Sequence, residues 1–167
     1  DFATDTCGVI VTGPFMSAQT RNRLIDRSAR NPRLRVLNFI PEPTRLVERA
    51  ERVVAMGGYN TVCEVLSFQK RALIVPRTKP RREQAIRAER LQHLGLIDVL
   101  EADRLNPNAL YEWLTRDLPP MHLDGRLNLN GLERLPILAK EVLGLDIDSV
   151  TLQSGLNLHP AGVKMCA

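Results

Sequence analysis

The sequence predicts an α/β protein, a Rossmann-like parallel sheet with helices on both faces. Three observations carry this expectation. Short, continuous apolar runs recur along the chain, as in "CGVIVTG" and "RALIVP". Unbroken runs of this kind suit strands buried on both faces, as in parallel sheets. Segments with helical composition and cap signals lie between them, and the connections are short.

The elements follow in order. Residues 7–13 read as a first strand ending in a glycine turn, and "SAQTRNRLIDRSARN" as a helix with Ser17 as N-cap and Pro32 past its end. Residues 33–40 form a second strand, stopped by Pro41 and Pro43, and "TRLVERAE" a short helix capped by Thr44. A third strand covers residues 52–56 and leads through Gly57 and Gly58 into the helix "NTVCEVLSF". A fourth strand covers 71–76. The helix "EQAIRAERLQHL" follows and closes at Gly95, a natural C′ residue. A fifth, short strand covers 96–100, then "NPNALYEWLTRDL" has Asn106 as cap and Pro107 in its first turn. "LNGLERLPILAKEVLGL" reads as a last helix interrupted near Pro136. One domain is expected over residues 1–145, and a loosely ordered tail over 146–167.

Composition narrows the class. The chain has 167 residues, 25% charged and 44% hydrophobic, as in an ordinary soluble protein. No window resembles a membrane span or a cleavable leader, so a cytoplasmic protein is expected. The first residue is Asp1, which points to a piece of a longer protein. Cys7, Cys63 and Cys166 are odd in number and far apart, which fits free thiols rather than disulfides. His93, His122 and His159 are scattered, so no metal site is expected. The net charge of +4 invites a nucleic-acid reading, but an aromatic content of 4% leaves no stacking row for a single strand.

Two stretches carry chemistry. In "VVAMGGYNTVCEVLSF", two glycines permit a sharp reversal between strand and helix. One reading is local: Thr61 and Glu64 satisfy T-x-x-E, a capping box. The other is a phosphate cradle, because a helix start offers free amides and partial positive charge to a diphosphate. Asn60 and Thr61 add side-chain donors, and the acceptor-only carboxylate of Glu64 suits paired ribose hydroxyls. The spacing is neither G-x-x-x-x-G-K-[ST] nor G-x-G-x-x-G, so neither a Walker-type nucleotide hydrolase nor a dinucleotide cofactor is supported. No cofactor is expected.

The second stretch, "PRTKPRREQAIRAERL", places Arg77, Lys79, Arg81 and Arg82 before Glu83 and Gln84. Alone it reads as a solvated basic loop with an acid at a helix start. At the carboxyl edge of a parallel sheet, Glu83 and Gln84 would read sugar hydroxyls, and the cations would attract an anionic donor.

Together, "GGYNTVCE…VP…EQ..RA..L...G" resembles the donor-binding, C-terminal domain of GT-B glycosyltransferases, enzymes built from two Rossmann-like halves. It looks most like the family containing the peptidoglycan N-acetylglucosaminyltransferase of bacteria. It is also similar to the G-W-N-S-x-x-E…D/E-Q signature of plant UDP-sugar transferases. The resemblance runs from about Cys7 to Leu100. It implies that Gly57, Gly58, Asn60 and Thr61 hold the diphosphate of a nucleotide-sugar donor, most simply a UDP-sugar. It implies that Glu64 binds the ribose, that Glu83 and Gln84 contact the sugar, and that Phe39 and Ile40 flank the base. Gly13 and Ser17 would complete the phosphate region, although Pro14 removes one amide there. The resemblance also implies a separate N-terminal, acceptor-binding domain that supplies any general base, so this chain is expected to bind donor without turnover. A UDP-sugar epimerase domain and a non-catalytic nucleotide or nucleic-acid module are the alternatives.

Overall fold

The structure is a computed structural model, and its described residues are 6–144. The tail expected over 146–167, with His159 and Cys166, lies outside them. The chain divides into two units, Asp1–Leu127 and Asn128–Ala167.

The first unit alternates strand and helix: β1 (Gly8–Val11), α1 (Ala18–Ser28), β2 (Leu34–Leu37), α2 (Thr44–Arg49), β3 (Arg52–Ala55), α3 (Tyr59–Ser67), β4 (Arg71–Ile74), α4 (Glu83–His93), β5 (Asp98–Val99) and α5 (Pro107–Thr115). Every strand pair is parallel. The architecture is therefore the expected parallel α/β one. The ladder is divided, however: β1 pairs with β2, and β3–β4–β5 form a second sheet. Apolar runs specify strands, but edge pairing depends on how the crossovers pack, which local sequence does not encode.

The main core lies on one face of β3–β4–β5. Val53 and Ala55 of β3 and Ala72 and Ile74 of β4 pack with Val47 of α2, Val62, Val65 and Leu66 of α3, and Ala88 and Leu91 of α4. Because strand side chains alternate, Arg52, Leu73 and Asp98 point to the opposite face. There α5 covers the sheet through Trp113, whose indole N–H donates to Asp98 Oδ2 at 2.8 Å. Arg116, just past α5, pairs with the other oxygen of Asp98 at 3.2 Å. Arg52 lies over the Trp113 ring, 5.6 Å from its centre. Its guanidinium also donates to the carbonyls of Trp113 (2.6 Å) and Arg116 (2.7 Å), groups that a helix C-terminus leaves without intrahelical partners.

This arrangement yields a stability prediction. Arg52→Ala removes two charge-assisted hydrogen bonds and exposes two carbonyls, and is expected to cost about 2–3 kcal/mol. Urea denaturation followed by the fluorescence of Trp113, the sole tryptophan, measures it directly. A cost below about 0.5 kcal/mol would show that solvent replaces the guanidinium at the end of α5.

The second unit contains α6 (Gly131–Leu143), which ends at Gly144 in the left-handed conformation, φ 63°. The expected interruption at Pro136 does not occur, and the proline sits inside one continuous helix. Proline fixes a helical φ but removes one hydrogen bond and crowds the carbonyl of the preceding turn, so its place inside α6 costs stability without ending the helix. Among the described residues, no helix is long and apolar enough to cross a membrane.

Candidate functional site

Two glycine turns stand at the carboxyl ends of parallel strands, one after β1 and one after β3. They differ in what their helix starts offer.

At the first, Thr12 is buried and tied by amide and hydroxyl to the Leu37 carbonyl, at 3.0 and 3.3 Å. The chain turns at Gly13, whose carbonyl accepts from the Met16 amide. Ser17 then caps α1: its hydroxyl oxygen accepts from the Thr20 amide at 3.2 Å. The N-cap expected from the sequence is thus formed, and one amide of that helix end is already engaged. Among the described residues, no hydrogen bond or ion pair joins Gly13 or Ser17 to the turn after β3.

The second turn is built differently. Gly57 is buried with φ +80°, a region that L side chains rarely adopt. A Cβ there would lie 2.7 Å from Ile74 Cγ2, so the close packing of the turn on β4 also demands glycine. Gly58 has an ordinary φ of −55° and is the N-cap of α3. A Cβ on it would meet nothing within 4 Å. One glycine is therefore required by the fold, and the other leaves its surroundings open.

The capping box does not form. The helix opens at Tyr59, so Thr61 lies at its third position, and no side chain caps it. The physical reason is the turn itself: Gly57 reverses the chain at once, and Gly58 (ψ 151°) takes the N-cap position three residues before Thr61. Thr44 likewise does not cap α2. Pro43 holds that position, and Thr44 is the first helical residue. No hydrogen bond among the described residues uses the amides of Gly58, Tyr59, Asn60 or Thr61. Four donors and the positive end of a helix dipole thus face outward together.

Glu64 lies one turn further on. Its Oε1 accepts from the Thr44 hydroxyl at 2.7 Å, and its other carboxylate oxygen has no partner among the described residues. Thr44 closes the segment after β2 that carries Phe39 and Ile40, of which Phe39 is half-exposed. The hydrogen bond therefore ties the start of α2, four residues after Ile40, to the candidate ribose acceptor.

Glu83 and Gln84 open α4 as expected. Glu83 is exposed. Gln84 is partly committed: its Oε1 accepts from the Arg77 amide at 3.2 Å and ties the loop to the helix, leaving the amide group's N–H donors for a ligand. Arg77, Lys79, Arg81 and Arg82 are exposed, and among the described residues none is in an ion pair. They place net positive charge beside the turn.

Sequence reasoning missed two contributors, Thr44 as a partner of Glu64 and Arg87. The Arg87 guanidinium donates to the Gly57 carbonyl at 3.1 Å and lies 5.4 Å from the centre of the Tyr59 ring. The fragment "EQAIRA" contains this arginine, but nothing local marks it as reaching a turn 30 residues earlier. A groove of about 430 Å³ along the ends of β3 and β4 is lined by Val54, Met56, Val75, Pro76 and Leu105 among others. Being apolar, it offers little to a phosphate or a sugar, which leaves the helix end as the polar site. The described residues contain no group of three His, Cys, Asp or Glu that could hold a metal ion. His93 closes α4, and the His122 carbonyl is held by Arg126, so neither is bonded to the turn.

The fold has relatives among solved structures. The glycotransferase of kitacinnamycin aligns over 83% of this chain and 40% of its own, at 17% identity and a TM-score of 0.48. The glycosyltransferase VinC, solved in complex with dTDP, aligns over 70% of this chain and 34% of its own, at 19% identity and a TM-score of 0.50. MurG of Acinetobacter baumannii aligns over 68% of this chain and 41% of its own, at 16% identity and a TM-score of 0.50. The chain thus spans about two fifths or less of the length of these proteins. No curated protein sequence matches it. The model of the glycosyltransferase family 28 C-terminal domain matches residues 6–123, a span that takes in both glycine turns, Glu64 and the Glu83–Gln84 pair, and the chain belongs to that family.

Proposed function

We propose that this chain binds the donor of a glycosyl transfer, a UDP-sugar, with its diphosphate at the amides of Gly58 to Thr61. Glu64 accepts from the ribose hydroxyls, the Phe39–Ile40 segment flanks the base, and Glu83 and Gln84 contact the sugar. Gly13 and Ser17 line the far side of the phosphates. The observation that carries this reading is the start of α3, where four consecutive amides lack an acceptor among the described residues, behind a turn whose positive φ and close packing demand glycine.

The chemistry follows from that placement. An acceptor hydroxyl attacks the anomeric carbon of a hexosyl unit, the bond to the diphosphate oxygen breaks, and the hydroxyl proton passes to a base. Negative charge grows on the departing diphosphate, where fixed amides stabilise it without reorganisation. The acceptor and the base belong to a second domain, so this chain by itself binds donor and does not transfer sugar. A cytoplasmic setting fits a soluble nucleotide-sugar substrate.

The test is a titration with UDP, UDP-N-acetylglucosamine and dTDP, followed by calorimetry and by amide NMR shifts. UDP is expected to bind, with the largest shifts at Gly58 to Thr61. The dTDP arm checks the base, because VinC was solved with that nucleotide. Tighter binding of dTDP would replace uridine by thymidine in the proposal. An absence of binding by every nucleotide at millimolar concentration would sink it.

A further inference from the structure

We propose that Arg87 is a positioning residue for the diphosphate cradle, acting through the Gly57 carbonyl and the Tyr59 ring. The inference rests on the donor-binding reading of the same turn. The Gly57 carbonyl and the Gly58 amide belong to one planar peptide unit, and in a trans peptide they point in opposite directions. Arg87 Nη1 holds that carbonyl at 3.1 Å from the α4 side. The Gly58 N–H is thereby turned away from α4, and it is the first of the four free donors. Without the guanidinium, this peptide could rotate about the flexible bonds of two adjacent glycines, which restrict rotation least.

The second contact acts on the next residue. Tyr59 is the first residue of α3 and is exposed on the surface, yet its ring lies over the Arg87 guanidinium at 5.4 Å. This cation–π contact holds the ring toward α4 and off the open end of the helix. Arg87 therefore fixes both residues that begin the cradle.

Arg87 also differs from the neighbouring cations. Arg77, Lys79, Arg81 and Arg82 are exposed, whereas Arg87 is half-buried. It lies four residues after Glu83, so the two share a face of α4. No ion pair joins them, and among the described residues the Glu83 carboxylate is in no ion pair while Arg87 engages the turn. One helix face thus holds both the candidate sugar-contacting acid and the residue that sets the phosphate donors.

The experiment compares UDP with uridine, which lacks the phosphates, on the full chain and on Arg87→Ala and Arg87→Lys. Arg87→Ala is expected to weaken UDP about tenfold and uridine less than about twofold. Arg87→Lys keeps the charge without the planar fork, and is expected to recover only part of the loss. An equal fall for both ligands would assign Arg87 a general structural role and overturn the proposal. Unchanged UDP affinity in Arg87→Ala would overturn it while leaving the donor-binding reading intact. Failure of the unsubstituted chain to bind UDP would remove both. ¹⁵N relaxation of Gly57 to Thr61 in the ligand-free chain gives an independent check. Faster motion in Arg87→Ala supports the clamp, and unchanged motion contradicts it.

Discussion

Gly57→Ala is expected to destabilise the chain by roughly 2–4 kcal/mol and to abolish nucleotide binding. Two costs combine. An L residue in the left-handed region costs about 1–2 kcal/mol, and a methyl group 2.7 Å from Ile74 Cγ2 must displace a fully buried side chain of β4, at about 1–3 kcal/mol for an overpacked site. Gly58→Ala is the informative companion. Its φ is ordinary and its Cβ would meet nothing, so the fold should lose less than about 1 kcal/mol. A ligand seated against the helix end would meet that methyl group, so UDP affinity should still fall. Urea denaturation read by Trp113 fluorescence gives the first quantity, and calorimetry gives the second. Were Gly58→Ala to bind UDP as the unsubstituted chain does, the diphosphate would have to lie elsewhere.

Glu64→Ala is expected to lower UDP affinity by about 10- to 100-fold, the range for losing hydrogen bonds from hydroxyls to a carboxylate. The loss should shrink for 2′-deoxy-UDP, which lacks one of the two ribose hydroxyls. Stability should change by less than about 1 kcal/mol, because the hydrogen bond to Thr44 is exposed. Thr44→Val leaves the carboxylate in place but frees it to rotate, so an intermediate affinity loss is expected. Equal losses for UDP and 2′-deoxy-UDP in Glu64→Ala would remove Glu64 from the ribose and leave it a tie between α2 and α3.

These effects separate what is written locally from what is not. Gly57–Gly58 after an apolar run announced the turn, and Glu83–Gln84 after a basic loop announced the start of α4. Both signals are local, because a strand end, a positive φ and a helix start are properties of a few adjacent residues. The same locality misled at Thr61 and Glu64, where T-x-x-E fits a capping box that the reversal at Gly57 forestalls by starting α3 earlier. Pro136 misled in the same way, since a local breaker signal was outweighed by the helix around it.

By itself the sequence determined the parallel α/β class, the order of strands and helices, the glycine turn and the motif residues that carry the family resemblance. Only the tertiary structure decided that the strands form two sheets, that Thr44 meets Glu64 across 20 residues, that Arg87 reaches Gly57 across 30, and that Arg52 holds the end of α5 across 61. The reason is physical. Backbone preferences and caps act over a turn or two, whereas these contacts arise only after crossovers have packed helices onto a sheet, and packing places distant residues together without leaving a mark in either local segment.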